Sequence, residues 1–451
     1  MTVDVDVVVV GLGPGGEAAA SKLAGSGLTV VGVDQRLVGG ECPYYGCIPS
    51  KMMIRAANLL AEARRVPGMA GRCEVTPDWE PVAARIRDEA TDDWDDRVAV
   101  ERLERAGVRF VRGHARLTGP RTVEVGGESI RATRGVLLNT GTEPAVPPID
   151  GLADTACWTN RDAIRVTELP ASLAVIGGGA IAVELSQVFA RFGVRVTVLE
   201  GADRLLPPEE PEVGDLLAEV FAREGIAVRT GVRVTSVSHD GQLFTVSTDG
   251  GTVRAERLLV AAGRHPNLSD IGLDTVGLDP SARALDTDER MRAGEGLWAI
   301  GDITGKGAFT HMSMYQSAVA VRDILGEQGP AADYRAVPRV TFTDPEVGSV
   351  GMSERQARGA GLRIRTGFTP LASSTRGWIH KAGNDGFIKL VEDADRGVLV
   401  GATSVGPTGG EVLSMLATAV HAEVPTDTLL AMPYAYPTFH RAVEAALQSL
   451  A

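Results

Sequence analysis

The feature that most constrains the fold is a strand–turn–helix–strand unit that occurs twice. Val7–Val10 is an unbroken β-branched run, of the kind a parallel strand buried on both faces requires. Gly11-Leu12-Gly13-Pro14-Gly15-Gly16 follows, then a helical pattern from Glu17 to Leu23. A second strand, Leu28–Val33, ends at Asp34. The other copy runs from Leu173–Ile176 through Gly177-Gly178-Gly179-Ala180-Ile181-Ala182 and a helix to about Phe192. Its second strand, Arg195–Leu199, ends at Glu200. In both copies the acid stands 23 residues beyond the first glycine. Glycines make the tight turn, a helix N-terminus faces a pyrophosphate, and the acid accepts from a ribose hydroxyl. Gly11, Gly13, Gly16 and Asp34 are therefore expected at one dinucleotide. Gly177, Gly179, Ala182 and Glu200 are expected at a second. A glycine-rich turn without a ligand is the alternative for a single copy, and two full copies argue against it.

Cys42 and Cys47 follow the first fingerprint, in Gly40-Glu41-Cys42-Pro43-Tyr44-Tyr45-Gly46-Cys47-Ile48-Pro49-Ser50-Lys51. In a regular helix, five steps of about 1.5 Å hold such Cα atoms roughly 7.5 Å apart. A disulfide wants about 4.4–6.8 Å. Only a distorted helix start brings them into range, and the glycines and Pro43 permit one. A strained bridge there is the reducible, catalytic kind, and the helix dipole favours thiolate on the reduced pair. The alternatives are two buried free thiols or zinc ligands. Zinc pairs usually have about two to four residues between them, and no second Cys or His pair follows at a suitable distance.

With 451 residues, 44% hydrophobic and 23% charged, the chain reads as an ordinary globular protein of several domains. A net charge of −13 argues against non-specific nucleic-acid binding. Four cysteines are too few for a secreted disulfide framework. The N-terminus lacks a signal-peptide pattern, and no apolar run is long enough to span a membrane. Cytoplasm is the expected compartment. Five lysines against forty arginines make Lys51 stand out.

Elsewhere, Ala56–Arg64 and Val82–Ala106 read as amphipathic helices and Val108–Leu117, Val123–Val125 and Val136–Asn139 as strands. Further strands are expected near Ile226–Val237, at Phe244–Ser247, and at Leu258 onward to Gly263. Leu297–Ile300 ends at Gly301-Asp302, and a helix is expected over Met312–Leu325. Arg335–Ala451 forms a separate block of strands and helices.

These marks, with Thr140-Gly141-Thr142-Glu143-Pro144, Gly263-Arg264-His265-Pro266-Asn267 and Phe342-Thr343-Asp344-Pro345-Glu346, resemble the pyridine nucleotide–disulfide oxidoreductases. That family includes dihydrolipoamide dehydrogenase, glutathione reductase and mercuric reductase. The resemblance covers essentially the whole chain. It implies an α/β fold with two Rossmann-like dinucleotide-binding domains and an α+β C-terminal dimerisation domain. The implied boundaries are 1–146 with 265–330 for FAD, 147–264 for NAD(P), and 335–451 for the interface of a homodimer. Gly11, Gly13, Gly16 and Asp34 would hold FAD, with Gly40, Thr140, Gly141, Gly301 and Asp302 lining its site and Gly263 closing the NAD(P) domain. Cys47 would face the flavin and Cys42 the substrate. Lys51, paired with Glu184, would stabilise negative charge on reduced flavin; a solvated helix lysine is the alternative. His311 has two readings, a flavin contact or a helix-start packing residue. Glu200 favours NADH by repelling a 2′-phosphate, while Ala182 and Arg204 keep NADPH as the alternative.

One family motif fails. Members acting on disulfides end in His-Pro-Thr with a Glu three residues later. Here Tyr436 holds the His position and Arg441 the Glu position. A phenol with a pKa of about 10 is a poor proton shuttle at neutral pH. His440, paired with Glu444 one turn on, would be a displaced dyad. The expected activity is therefore NAD(P)H oxidation through FAD and the cysteine pair. The electrons go to a small-molecule acceptor: an unusual disulfide, a thiophilic ion or a thioether. The alternatives are a transhydrogenase or diaphorase, and a conventional dihydrolipoamide dehydrogenase using His440.

Overall fold

The computed structural model describes residues 2–450. They form two compact units, the first made of residues 2–50, 84–145 and 264–334. Its eight-stranded sheet runs in the order Arg292–Gly294, Leu297–Ala299, Glu128–Leu138, Thr2–Val10, Val30–Asp34, Val108–Arg112. Thr122–Val125 and Ala115–Gly119 are folded onto Glu128–Leu138 as an antiparallel flap. The five strands from Leu297–Ala299 to Val108–Arg112 are parallel. Val7 and Val9 point into one core with Leu12, Ala20 and Leu23. Val8 and Val10 point into another with Val31, Val33 and Val136. Burial on both faces is why the strand is apolar without alternation. Helices Pro14–Gly25 and Thr310–Leu325 cover the first of these cores.

The second unit comprises residues 51–83, 146–263 and 335–450. A parallel sheet, Ala227–Arg229, Arg195–Leu199, Ser172–Ile176, Arg257–Val260, carries the second fingerprint. Three antiparallel strands from Val234 to Ala255 close over Ala174 and Ile176. The block from Arg335 holds a five-stranded antiparallel sheet packed under helices Gly409–His421 and Arg441–Gln448. Among the described residues, no helix is long and apolar enough to cross a membrane.

Two sequence expectations change. Val108–Leu117 is not one strand. It turns at Gly113, whose N–H donates to the Asp34 carbonyl at 2.9 Å, and continues as the separate strand Ala115–Gly119. The helix expected over Val82–Ala106 is broken. Glu80–Arg85 passes into a wide π turn at Ile86–Ala90, and helix resumes only at Arg97–Arg105. Between them Asp92, Asp93 and Trp94 all adopt left-handed backbone, with φ of 48°, 53° and 58°. Such conformations cost on the order of 1 kcal/mol or more per non-glycine residue. Thr91 offers a local alternative to helix, its hydroxyl donating to the Ile86 carbonyl at 3.0 Å.

Candidate active site

The two fingerprints share one construction. Gly11 (φ 89°) and Gly177 (φ 110°) sit where a Cβ would come within 2.3 Å of the Asn139 and Ala261 carbonyl oxygens, so only glycine fits. A Cβ on Gly16 would lie 2.0 Å from the Gly11 oxygen, whereas the second unit carries buried Ala182 at that place. The middle glycines differ in kind. A Cβ on Gly179 would touch nothing within 4 Å, and one on Gly13 only the Asn139 amide nitrogen at 3.4 Å. Packing within the protein does not require them. Their missing side chains leave open approach to the backbone at the N-termini of two twelve-residue helices, Pro14–Gly25 and Ala180–Arg191. That is the room and polarity a pyrophosphate needs.

Each strand-end acid grips its own turn. Asp34 accepts from the N–H of Leu12 and of Arg36, both at 2.7 Å. Burial pushes its carboxyl pKa up, and the Leu12 and Arg36 bonds oppose that. Glu200 accepts from the N–H of Gly178, and from that of Ala202 at 2.6 Å. Arg204 turns to its own loop, reaching Asp203 at 3.0 Å and the Pro207 carbonyl at 3.0 Å.

In the first unit, further groups converge beside the first fingerprint. Gly40 has φ 67°, and a Cβ there would lie 2.9 Å from the Gly13 Cα. The cysteine segment thus presses directly on the first fingerprint. Cys42 lies in the short helix Glu41–Tyr45, Gly46 breaks the helix, and Cys47 opens the helix Cys47–Arg65. Cys47 is exposed, with Sγ 3.4 Å from Thr310 Oγ1 at the start of helix Thr310–Leu325. His311, next to it, stacks on Phe309 at 5.2 Å. Asp302 follows strand Leu297–Ala299 and accepts from Thr142 Oγ1 at 2.8 Å. Gly301 (φ 76°) donates its N–H to Gln316 Oε1 at 2.6 Å. Thr140 and Asn267 exchange bonds of 2.8 and 2.9 Å beside Gly141.

Several residues here escaped the sequence reading. Asn139 bridges the Gly11 carbonyl at 3.3 Å and the Ser313 hydroxyl at 3.1 Å. Arg264 donates to Thr142 Oγ1 at 2.7 Å and lies 3.4 Å from Glu41, joining the cysteine segment to Asp302 through Thr142. Only the Thr142 and Arg264 motifs gave a signal; pairings across more than 100 residues leave none.

The second unit brings Lys51 and Glu184 together. Lys51 Nζ lies 2.9 Å from Glu184 Oε2, and the N–H of Phe342 donates to Glu184 Oε1 at 2.8 Å. The ammonium also sits 4.6 Å from the centre of the Phe342 ring. Lys51 is one helical turn beyond Cys47 on the same helix. Helix Ala180–Arg191 holds the Phe342–Asp344 segment with one face. Gln187 exchanges bonds with the backbone of Asp344 at 2.8 and 2.9 Å. Arg191, buried, reaches Asp344 at 2.7 Å, Glu224 at 2.6 Å and Asn58 at 2.6 Å.

The displaced dyad is not assembled. Tyr436 precedes Pro437 in an irregular segment, and helix begins only at Arg441, so Tyr436 and His440 do not share a helix. Pro437 was the available signal, since the residue before proline avoids helical backbone. Glu444, expected as the partner of His440, pairs with Arg441 at 3.1 Å. Tyr436 is 65% exposed, with the Arg441 guanidinium 5.6 Å from its ring centre.

The model of the pyridine nucleotide–disulphide oxidoreductases matches residues 5–321, and the model of their dimerisation domain matches residues 337–447. The chain belongs to this family. It is 35% identical to a dihydrolipoyl dehydrogenase of Halobacterium salinarum, over 99% of this chain and 96% of that one. It is 33% identical to a mercuric reductase of Shigella flexneri, over 98% and 80%. A solved Cu(II) complex of the HOCl-induced flavoprotein disulfide reductase RclA from Escherichia coli is similar with a TM-score of 0.86. The identity there is 25%, and 99% of both chains is covered. This pyridine nucleotide–disulphide oxidoreductase is thus an enzyme of a family that uses FAD and NAD(P)H. The paired fingerprints fit those two dinucleotides.

Proposed function

We propose that this oxidoreductase takes electrons from NADH through FAD to a Cys42–Cys47 disulfide, and that the resulting dithiol reduces a small-molecule acceptor other than an ordinary disulfide. The observation that supports it is the helix break at Gly46, which sets the two cysteines on separate helical pieces beside the first fingerprint. Bound flavin supplies a two-electron relay between a hydride donor and a disulfide. The chain's own groups do the rest. Gly11, Gly13, Gly16 and Asp34 hold the adenosine diphosphate half. Gly40, Thr140, Gly141, Gly301 and Asp302 shape the remainder of that site, and His311 borders it. Gly177, Gly179, Ala182 and Glu200 hold the nicotinamide dinucleotide, with Gly263 at the edge of its domain. Lys51, aimed by Glu184, supplies positive charge. Cys42 exchanges with the acceptor.

The corresponding domains are 1–146 with 265–330, 147–264, and 335–451. The last joins a second copy, and Tyr436 there approaches the partner's cysteines. Similarity to a dihydrolipoyl dehydrogenase and to a mercuric reductase is nearly equal. What sets the acceptor class is Tyr436 and Arg441, which stand where a disulfide-reducing member carries its acid–base pair.

Anaerobic titration with NADH tests the core of this reading. A long-wavelength thiolate-to-flavin band is expected, absent in Cys47→Ser. Complete bleaching after two electrons without that band sinks it. A second expectation concerns the nicotinamide cofactor. Glu200 meets a 2′-phosphate with like charge, and Arg204 is engaged elsewhere. NADH should exceed NADPH in kcat/KM about tenfold, or about 1.4 kcal/mol. Equal values would show that another base outweighs Glu200.

A further inference from the structure

The break between Ala90 and Arg97 carries side chains that bond outside their own segment. Its residues anchor the cysteine segment at two points, all within the first unit. The indole N–H of Trp94 donates to the Tyr44 carbonyl at 3.1 Å. Tyr44 lies between Cys42 and Cys47, at the end of the short helix that Gly46 interrupts, where a carbonyl has no intrahelical donor. Asp96, buried, accepts the N–H of Val38 at 2.6 Å and the Arg112 guanidinium at 2.6 Å. Val38 opens the turn through Gly39 and Gly40 that leads into Cys42. The turn is held from inside as well: a Cβ on Gly39 would meet Pro43 at 2.9 Å and Tyr44 at 3.4 Å. The Tyr44 side chain is buried against this scaffold. Left-handed backbone at three successive non-glycine residues persists only where surrounding contacts over-determine it. Such strain concentrates where a local rule is broken to serve a site.

We infer that Trp94 and Asp96 are positioning residues for the redox pair: they fix the Cys42–Cys47 segment so that the two sulfurs stay poised to bridge. The inference rests on the redox reading of those cysteines. When the bridge is reduced, the S–S bond breaks, two electrons enter and two protons complete the thiols. A dithiol reductant supplies both and leaves as its own cyclic disulfide. Fixing the segment raises the effective concentration of one sulfur at the other, which favours the bridge. Loosening it shifts the balance toward the dithiol.

The test equilibrates the holoenzyme with dithiothreitol buffers of set redox ratio. Acid quenching, alkylation and peptide mass then count reduced and bridged Cys42–Cys47. In Trp94→Phe, which removes the indole donor and keeps an aromatic ring, the dithiol-to-disulfide ratio should rise about tenfold, or about 30 mV. Asp96→Asn weakens the other anchor and should move the ratio the same way, about threefold. Asp93→Gly relieves a left-handed residue, keeps both anchors, and should leave the ratio within twofold of wild type. A merely structural role would lower the melting temperature without moving this equilibrium. Ratios unchanged within twofold in both anchor variants, or shifted toward the disulfide, overturn the positioning role. A wild-type protein with no reducible Cys42–Cys47 bridge overturns the redox reading itself, and the positioning role with it.

Discussion

Replacing Arg191 by methionine is expected to lower the unfolding free energy by about 3–5 kcal/mol. The side chain is 2% exposed and is bound by two carboxylates, Asp344 at 2.7 Å and Glu224 at 2.6 Å, with a further bond to Asn58 at 2.6 Å. Methionine fills much of the same volume, so the loss is electrostatic. Two acids that shared one cation are left facing each other in a poorly solvated place. Asp344 keeps Arg65 at 2.7 Å, which places the effect toward the lower end. Replacing Glu224 by leucine in the same background should recover part of the loss, because the stranded charge goes with it. Urea denaturation of the three proteins decides the matter. An unchanged midpoint in Arg191→Met would mean that the cluster contributes nothing net.

The second large effect concerns catalysis. Wild type should turn over lipoamide and glutathione disulfide poorly despite normal reduction by NADH. The pair Tyr436→His with Arg441→Glu should raise lipoamide turnover by roughly 10²-fold or more. Thiol–disulfide interchange releases a thiolate that must take a proton, and a phenol with a pKa of about 10 is badly matched to that near pH 7. The guanidinium of Arg441 lies over the Tyr436 ring and is tied to Glu444, so no carboxylate is set to orient a base at position 436. Steady-state assays on wild type, the double variant and Tyr436→Phe supply the comparison. Wild-type lipoamide turnover at the rate of ordinary family members, indifferent to Tyr436→Phe, would show that Tyr436 does not limit disulfide reduction.

What the sequence disclosed was whatever local chemistry writes into adjacent residues. The two βαβ units were legible because strand, glycines, helix and acid recur at fixed spacing. Valines buried on both faces of the first strand produced the unbroken run that marked it. The broken helix after Ala90 was not legible. Val82–Ala106 contains neither glycine nor proline, and at the break Thr91 bonds back to Ile86 while Trp94 and Asp96 bond to Tyr44 and Val38. The pairings of Asn139 and Arg264 were hidden for a similar reason, since their partners Gly11 and Glu41 lie more than a hundred residues away. The geometry around Tyr436 was misjudged although Pro437 gave the needed warning.

The grip of each strand-end acid on its own glycine turn bears on how such enzymes diversify. Glu200, proposed above to select the nicotinamide cofactor, is also the acceptor for the N–H groups of Gly178 and Ala202. A single step toward NADPH, such as exchange of this acid for a neutral residue, also strips the turn of its fastener. On that reading the first mutant relieves the repulsion of a 2′-phosphate but loosens the turn on which either nicotinamide dinucleotide would sit. Lineages should cross this valley only when a compensating change in the Gly201–Leu206 segment arrives first. An engineer who wants the other cofactor should therefore rebuild that segment before touching the acid.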